Sequence, residues 1–217
     1  MYNLEKRFLA AEHRLRPGGN FKKTSITVHS TGNANSTALN ERKWLDNPSN
    51  NRDAAWHYIV GEGLVIQAIP DSEEAWHCGK KEGNIRSIGI EIIETGNRRL
   101  VCETAAEFVA DKLKEHGLSL KDLKYHVDWS GKICPRIFLD KLYVKDGIDS
   151  EYFKNLVKKY FEKVVPSVAP IKINGKVYQM ERIFVNDTNY IKIRDFAKAG
   201  FKVSYEKDMA VLETPER

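Results

Sequence analysis

The stretch SIGIEII, residues 87–93, is a short and nearly continuous run of apolar residues with several β-branched side chains. Such a run is typical of a strand that is buried on both faces. Glu91 interrupts the run, and burying a charged side chain is costly unless it is paired or belongs to a site. The stretch therefore predicts a buried strand and makes Glu91 a candidate functional residue.

Other strands and helices are predicted on both sides of this stretch. Residues 25–30 (SITVHS) have β-branched residues at their centre, which predicts a strand. Residues 56–60 and 64–69 predict a hairpin, because the sequence Gly61-Glu62-Gly63 between them suits a tight turn. Three stretches with helical spacing or capping residues predict helices: 37–46, 103–117 and 150–164.

Composition limits the class of protein. The 217 residues suffice for one medium domain, or for one domain with a small module. A net charge of +5 lacks the dense basic patches of nucleic-acid-binding arms. The three cysteines, Cys78, Cys102 and Cys134, argue against a disulfide framework. No apolar run is long enough for a membrane span, so membrane insertion is not expected.

The composition changes near the C-terminus. Residues 164–170 (VVPSVAP) hold two prolines and no charge, which predicts a linker. Residues 171–217 are rich in β-forming residues and include one short helical stretch that stops at Gly200. We therefore expect a main domain at 1–163, a linker at 164–170 and a small α+β module at 171–217.

Three residues with metal-binding side chains are candidates for one site. His29 and His126 each stand where a predicted extended segment gives way to a glycine-containing turn or loop, and Cys134 lies in the same loop as His126. Two imidazoles and a thiolate suit a catalytic zinc ion, which keeps three protein ligands and one open position. Glu91 would then be the general base, and Lys132 would stabilise an oxyanion.

Cys134 has a second interpretation as a thiolate nucleophile with His126 as its base. Asp128 is the nearest residue that could orient the imidazole. Pro135 removes a backbone donor beside the thiol, which is unfavourable for a nucleophile of this kind. The residues alone leave the metal site, the nucleophile and an ordinary loop with a buried thiol as alternatives.

Taken together, five segments resemble the type 2 zinc-dependent N-acetylmuramoyl-L-alanine amidases, a family that includes phage-lysozyme-type amidases and peptidoglycan recognition proteins. In chain order they are ITVHSTGN (26–33), AAWHYIVGEGLVIQAIP (54–70), AWHCG (75–79), NIRSIGIEI (84–92) and YHVDWSGKICPRIF (125–138). The resemblance implies an α/β fold with a central mixed β-sheet flanked by helices. It also implies hydrolysis of the amide between N-acetylmuramic acid and the L-alanine of the stem peptide.

The resemblance assigns roles to matching positions. His29, His126 and Cys134 would bind Zn²⁺, Glu91 would be the catalytic base and Lys132 would polarise the carbonyl. The hairpin position that holds a catalytic tyrosine in some relatives holds Trp56 here, which we expect to be a cleft wall. Substrate contacts are expected from Trp56, Trp76, His77 and Asn84.

The resemblance also orders the alternatives for function. A phage or prophage endolysin fits best, followed by a host autolysin of the same activity and by a non-catalytic peptidoglycan-binding relative. The expected partner is bacterial peptidoglycan rather than nucleic acid. The N-terminal residues lack a secretory signal pattern, so we expect synthesis in the cytoplasm and release to the wall through holin-type permeabilisation or lysis.

The C-terminal module loosely resembles small stalk-type modules related to the N-terminal domain of copper amine oxidases. Its expected role is cell-wall binding. A structural or dimerising appendage is the alternative, which leaves open a homodimer formed through this module.

Overall fold

The computed structural model describes residues 1–163, 167–173, 175–185, 188–206 and 209–214. The chain divides into two units, Met1–Glu162 and Lys163–Arg217. Each unit has its own sheets, and the site residues predicted from the sequence all belong to the first.

One mixed sheet forms the frame of the first unit. Its six strands are β1 (Asn3–Lys6), β2 (Ser25–Ser30), β3 (Tyr58–Val60), β4 (Leu64–Gln67), β5 (Ser87–Ile92) and β6 (Leu123–Tyr125). They lie in the order β1-β4-β3-β5-β2-β6. The β3–β4 hairpin is antiparallel and all other neighbours are parallel.

The strand predicted from SIGIEII lies inside this sheet, between β3 and β2. Five of its six residues are buried and Glu91 is half-buried. A parallel strand covered on both faces needs apolar side chains at almost every position, which explains the continuous run. The prediction of a buried strand is confirmed.

Helices cover the sheet. They are α1 (Ala38–Leu45), α2 (Lys81–Arg86), α3 (Arg98–Glu115), α4 (Val127–Ser130), α5 (Arg136–Leu139) and α6 (Ser150–Phe161). The long helix α3 packs against β2, β3 and β5, and α6 packs against α3. Phe108 of α3 meets Tyr58 of β3 edge to face, with ring centroids 4.7 Å apart. The predicted mixed sheet flanked by helices is confirmed.

Asparagine and aspartate side chains cap the N-termini of α3 and α6. Helix α3 begins at Arg98, five residues before the predicted start, because the side chain of Asn97 accepts a hydrogen bond from the Leu100 N–H. Helix α6 is capped by Asp149 in the same way, through the Tyr152 N–H. Ser150, where the predicted stretch 150–164 begins, is the first helical residue.

The second unit is built from short antiparallel strands. One sheet contains β7 (Ser167–Ile173), β8 (Lys176–Val185) and β9 (Thr188–Ile191), and a hairpin contains β10 (Lys202–Glu206) and β11 (Met209–Glu213). A 3₁₀ helix over Ile193–Ala199 ends at Gly200, which adopts the left-handed conformation.

The predicted linker at 164–170 needs a correction. Residues 164–166 lie outside the described part of the chain, and β7 already begins at Ser167. Proline is tolerated in an edge strand because a missing N–H there breaks no central ladder. Pro170 occupies such a position, since β7 pairs with β8 on one side only.

None of the helices within the described ranges is long and apolar enough to cross a membrane.

A candidate metal centre in a cleft at the strand ends

Three parallel strands bring the predicted site residues to one edge of the sheet. His29 is the fifth of the six residues of β2, and it lies directly opposite Glu91 of β5 in the strand register. His126 follows the last residue of β6, the neighbour of β2 on its other side. Parallel strands present their carboxyl ends at the same edge, where ligand sites of α/β proteins form.

The loop after β6 adds the third metal-binding side chain. The Nδ1 atoms of His29 and His126 are 3.0 Å apart, and Cys134 Sγ lies 3.8 Å from His29 Nδ1. All three ligand atoms lie within 4.8 Å of one another and all three residues are buried. We call His29, His126 and Cys134 the cleft cluster.

The cleft cluster has the dimensions of a tetrahedral metal site. With zinc–nitrogen and zinc–sulfur bonds of typical length, tetrahedral ligands are separated by roughly 3.3 Å for two nitrogens and roughly 3.5 Å for nitrogen and sulfur. The observed separations of 3.0 and 3.8 Å are close to these values. The donor set also fits, because imidazole and thiolate are the ligands that zinc prefers.

Burial sets the protonation of the cleft cluster. Burial lowers the pKa of His29 well below its usual value, and the neighbouring His77 and His126 lower it further. Burial together with the charge of Lys132 lowers the pKa of His126 to about 4. Both imidazoles are therefore neutral at pH 7, as metal ligands must be.

The thiol of Cys134 shows the opposite shift. Burial and the neighbouring Glu91 raise its pKa to about 12, so the side chain is protonated in the metal-free protein. A thiolate nucleophile requires a lowered pKa. This environment therefore gives no support to the nucleophile hypothesis, whereas a cation bound at the cleft cluster would favour the thiolate.

Short backbone links hold the loop between His126 and Cys134. The Val127 N–H donates to the Cys134 carbonyl at 3.3 Å, and Gly131 adopts a φ of +75° where α4 ends. The carboxylate of Asp128 accepts a hydrogen bond of 2.7 Å from the Tyr125 N–H. Asp128 therefore holds the backbone at the end of β6.

An ion pair fixes the other side of the loop. The guanidinium of Arg136 at the start of α5 donates to both carboxylate oxygens of Glu94, at 2.6–3.0 Å. Glu94 also accepts from the Gly32 N–H, just beyond β2. A bidentate pair of this kind fixes geometry as well as charge, so it holds the segments that carry Cys134 and His29.

Glu91 places a carboxyl group in the lining of the cleft. Its Oε2 atom is buried and has no hydrogen-bond partner among the described residues. Burial raises its pKa to about 8, the nearby Glu41 adds to the increase and Lys132 opposes it. A carboxyl group with a pKa near neutrality is suited to take up and return a proton.

The cleft has a volume of about 310 Å³ and is lined largely by polar groups. Trp56 and Trp76, both predicted to contact substrate, line it together with Lys132. The indole Nε1 of Trp56 is buried and finds no acceptor within the described part of the chain. Sequence reasoning did not identify further lining residues, which include Glu41, Trp44, Asn50 and Arg52. They lie on α1 and the segment after it, with no recognisable motif.

Asn84 lies outside the cleft lining. Its side-chain oxygen accepts hydrogen bonds from the backbone N–H groups of His77 and Cys78, each 3.1 Å long. These bonds fix the AWHCG segment, so the observed role of Asn84 is to support that segment. Its contact with substrate stays a prediction.

His77 lines the cleft but lies behind the cleft cluster. Its ring is largely buried, and its Nδ1 atom is 2.9 Å from Nε2 of His29. Its own Nε2 faces the Ser87 carbonyl at 3.4 Å. The sequence predicted a substrate contact for His77, whereas the observed partners are a candidate metal ligand and the backbone of β5.

The described residues contain a second group of ligand-type side chains within mutual reach. Asp71, Glu115 and His116 lie near the end of α3, with ligand atoms within 4.8 Å of one another. Lys112 is placed among them, with Nζ 2.9 Å from Asp71 and 2.8 Å from Glu115. We call these four residues the helix-end cluster.

Comparison with known proteins places these observations in a family. The family model described as N-acetylmuramoyl-L-alanine amidase matches residues 20–137, which include His29, Glu91, His126 and Cys134. That range covers the whole sheet except β1 and all of the cleft cluster.

Named relatives support the same family. The chain is 34% identical over 147 residues to the N-acetylmuramoyl-L-alanine amidase CwlH of Bacillus subtilis (strain 168), covering 64% of this chain and 58% of CwlH. It is 37% identical over 139 residues to CwlA of the same strain, covering 59% of this chain and 50% of CwlA. The chain thus spans between half and three-fifths of the length of these relatives.

A solved structure matches the first unit in fold. The structure described as a mutant endolysin from Bacillus subtilis superposes with a TM-score of 0.64 at 33% sequence identity. The match covers 72% of this chain and 99% of the solved one.

Proposed function

Because the chain belongs to the N-acetylmuramoyl-L-alanine amidase family, we propose that it hydrolyses the amide between N-acetylmuramic acid and the L-alanine of the stem peptide. The substrate is then bacterial peptidoglycan, which the protein degrades as an endolysin does. The observation that carries the proposal is the cleft cluster beside the unpaired carboxyl group of Glu91.

We propose that His29, His126 and Cys134 hold Zn²⁺ in the cleft. A bound zinc ion supplies a water molecule of lowered pKa and polarises a carbonyl oxygen. The neutral imidazoles and the fit of the ligand distances support this assignment. Deprotonation of Cys134 accompanies binding, so metal uptake should release a proton.

Glu91 is the proposed general base. Its carboxylate takes a proton from the attacking water as the new carbon–oxygen bond forms at the lactyl carbonyl. The same proton then passes to the alanine nitrogen as the carbon–nitrogen bond breaks, which yields a free carboxylate and a free amine. The raised pKa of Glu91 supports both halves of this transfer.

Lys132 is the proposed electrostatic partner of the oxyanion. It lines the cleft, and its positive charge lowers the pKa of His29, His126 and Glu91. A cation that acts on all three groups is well placed to stabilise negative charge that develops at the carbonyl oxygen. Trp56 and Trp76 are proposed to form walls that hold the sugar and peptide.

Digestion of purified cell walls tests the bond specificity. We expect new alanine amino groups, detected by amine labelling and mass spectrometry, without new reducing sugars. New reducing ends would identify a glycosidase, and release of other amino acids would identify a peptidase. Chelation should abolish the reaction and Zn²⁺ restore it, whereas activity that survives chelation but not thiol alkylation would support the nucleophile hypothesis.

Glu91→Gln tests the base. The variant keeps the shape of the side chain, so we expect zinc content to be unchanged and kcat to fall by about 10² to 10⁴. Glu82→Gln, at an exposed position on α2, is the matched control and should keep full activity. Wild-type activity in Glu91→Gln would reject Glu91 as the base.

We further propose that the second unit binds the cell wall. Supporting this, it exposes apolar side chains, with Val177 62% and Tyr190 58% accessible, and exposed aromatic residues are enriched at binding surfaces. Tyr190→Ser should reduce co-sedimentation of the full chain with insoluble walls while cleavage of soluble fragments is retained. Unchanged sedimentation, together with a shift from dimer to monomer in light scattering, would support the dimerisation alternative instead.

A further inference from the structure

We infer that His77 is a positioning residue that fixes the tautomer of His29, so that the Nδ1 lone pair of His29 faces the cleft. The inference rests on the proposed zinc site. It replaces the predicted substrate contact of His77 by a role in metal affinity.

The direction of the hydrogen bonds follows from their last acceptor. The Ser87 carbonyl can only accept, so His77 Nε2 carries the proton that faces it at 3.4 Å. This distance is long for such a bond, but this is the one hydrogen bond found for that nitrogen among the described residues. A neutral His77 then has a lone pair on Nδ1, which accepts from His29 Nε2 at 2.9 Å.

The same arrangement determines His29. With its proton on Nε2, a neutral His29 has its lone pair on Nδ1, the atom that lies 3.0 Å from His126 and 3.8 Å from Cys134. The opposite tautomer would place a proton on Nδ1 and block metal binding. Metal-ligating histidines usually donate their second N–H to a carboxylate, a carbonyl or water, and here another imidazole takes that place.

The opening stretch of sequence contains the residue that makes room for this arrangement. A Cβ atom on Gly89 would lie 2.6 Å from the His77 ring, so the ring packs directly on the β5 backbone. Glycine within a strand often marks such a close approach. Ser87 and Gly89 of SIGIEII therefore supply the acceptor and the space for His77, while Glu91 reaches the cleft from the same strand.

His57 provides a matched comparison, because it is a second buried histidine close to His77. Its ring lies 5.9 Å from that of His77, centroid to centroid. Its Nδ1 accepts from the Gly89 N–H at 2.9 Å and its Nε2 faces the Glu73 carbonyl at 3.0 Å. His57 is thus buried and hydrogen-bonded like His77, but none of its hydrogen bonds reaches the cleft cluster.

The test measures zinc affinity of the full chain by competition with a chelating indicator. His77→Leu leaves the His29 N–H without its acceptor, so we expect affinity to fall by about 10- to 100-fold. His77→Asn keeps an oxygen near the position of Nδ1 and should restore affinity to within about threefold of wild type. His57→Asn should bind zinc like wild type.

Two outcomes would overturn the inference. One is a His77→Leu protein that is folded by circular dichroism and binds zinc as tightly as wild type. The other is equal weakening in His77→Asn and His77→Leu, which would indicate a packing role. A wild-type chain that binds no zinc would instead reject the proposed metal site itself.

A spectroscopic measurement addresses the tautomer directly and does not depend on how the variants fold. Long-range ¹H–¹⁵N spectra of the zinc-loaded wild-type protein should show a protonated Nε2 and an unprotonated Nδ1 on His77. Protonation of His77 at Nδ1 would contradict the inference, because the bond to His29 would then run in the opposite direction.

Discussion

The cleft cluster and the helix-end cluster contain similar ligand-type side chains, yet they differ in whether a cation of the protein already lies among them. The ligand atoms of each group lie within 4.8 Å of one another. In the helix-end cluster, the ammonium of Lys112 bonds both carboxylates. That group therefore carries its own cation, and a metal ion would have to displace a buried lysine.

The cleft cluster has no such internal cation among its three members. Its imidazoles are neutral and its thiol is protonated, because burial disfavours every charged form. Lys132, the nearby cation, acts on the pKa of these groups from the cleft rather than bonding them. A cluster of ligand side chains is thus available to a metal when no protein charge already neutralises it.

The largest effect is expected when one ligand of the cleft cluster is removed. His126→Ala should lose stoichiometric zinc and lower amidase activity by roughly 10³-fold or more, since metal catalysis contributes several kcal/mol. His116→Ala in the helix-end cluster should keep both. The measurement is the zinc content per chain of each variant, determined by atomic emission after passage over a chelating resin. A loss of zinc in His116→Ala would show that the helix-end cluster also takes part in zinc binding.

A smaller effect is expected for the cation of the cleft. Lys132 is exposed, so Lys132→Met should leave the fold and the zinc content intact. We expect kcat to fall by about 10² to 10³, as when one oxyanion donor is removed. Lys141→Met, at an exposed loop position outside the cleft lining, is the control. Wild-type kcat in Lys132→Met would show that the charge only tunes the pKa of its neighbours.

Much of the sheet was predictable, because the sequence patterns that indicate its strands are local. The apolar run of β5, the β-branched centre of β2 and the glycine turn between β3 and β4 each fix a strand from neighbouring residues alone. The resemblance to known amidases then placed His29, Glu91, His126 and Cys134 in one site, and the strand register brings them to one edge.

The elements that sequence reasoning missed depend on distant partners. Strand β1 reads NLEK, a mostly exposed polar stretch that becomes a strand only by pairing with β4. Helix α2 has no side-chain cap and contains Gly83, where a Cβ atom would meet Cys78 Sγ at 2.3 Å and Trp129 at 2.9 Å. The role of His77 was equally hidden, because His29 is 48 residues away.

Removal of Lys112, the cation inside the helix-end cluster, should lower the stability of the first unit. Lys112 and Asp71 have only 7% and 15% of their side chains accessible. Burial alone would raise the pKa of Asp71, but bonds from His116, Lys112 and Tyr58 outweigh it and lower the pKa below its usual value. Lys112→Met leaves that charge without its main cation, so we expect a loss of about 3 kcal/mol of unfolding free energy.

Urea unfolding followed by tryptophan fluorescence measures this loss, because all four tryptophans belong to the first unit. The double variant Lys112→Met/Asp71→Asn removes both charges and should recover most of the stability. Zinc content should be unchanged in both proteins. A double variant no more stable than Lys112→Met would show that packing of the lysine stem, rather than its charge, is responsible.

The smallest effect concerns the buried His57, whose protonation at low pH should destabilise the fold. Burial, with a contribution from Lys23, lowers the pKa of His57 to about 3, while the carbonyl of Glu73 and the charge of Asp71 oppose the shift and His116 adds to it. In the unfolded chain, His57 takes up a proton near pH 6.5, whereas in the folded chain it stays neutral at that pH. The stability contribution is therefore complete above pH 6.5 and is lost as the pH falls towards 3.

His57→Asn removes this titration while keeping an acceptor for the Gly89 N–H. Between pH 7 and pH 5, the metal-free wild type should lose about 1 to 2 kcal/mol more unfolding free energy than the variant. Asp71 contributes little to this difference, because its pKa is lowered in the folded protein. A carboxyl group of this kind loses its stabilising effect only below its unfolded pKa of 3.8. Equal losses in wild type and His57→Asn would mean that His57 accepts a proton in the folded state at pH 5, so that this buried imidazole does not stay neutral.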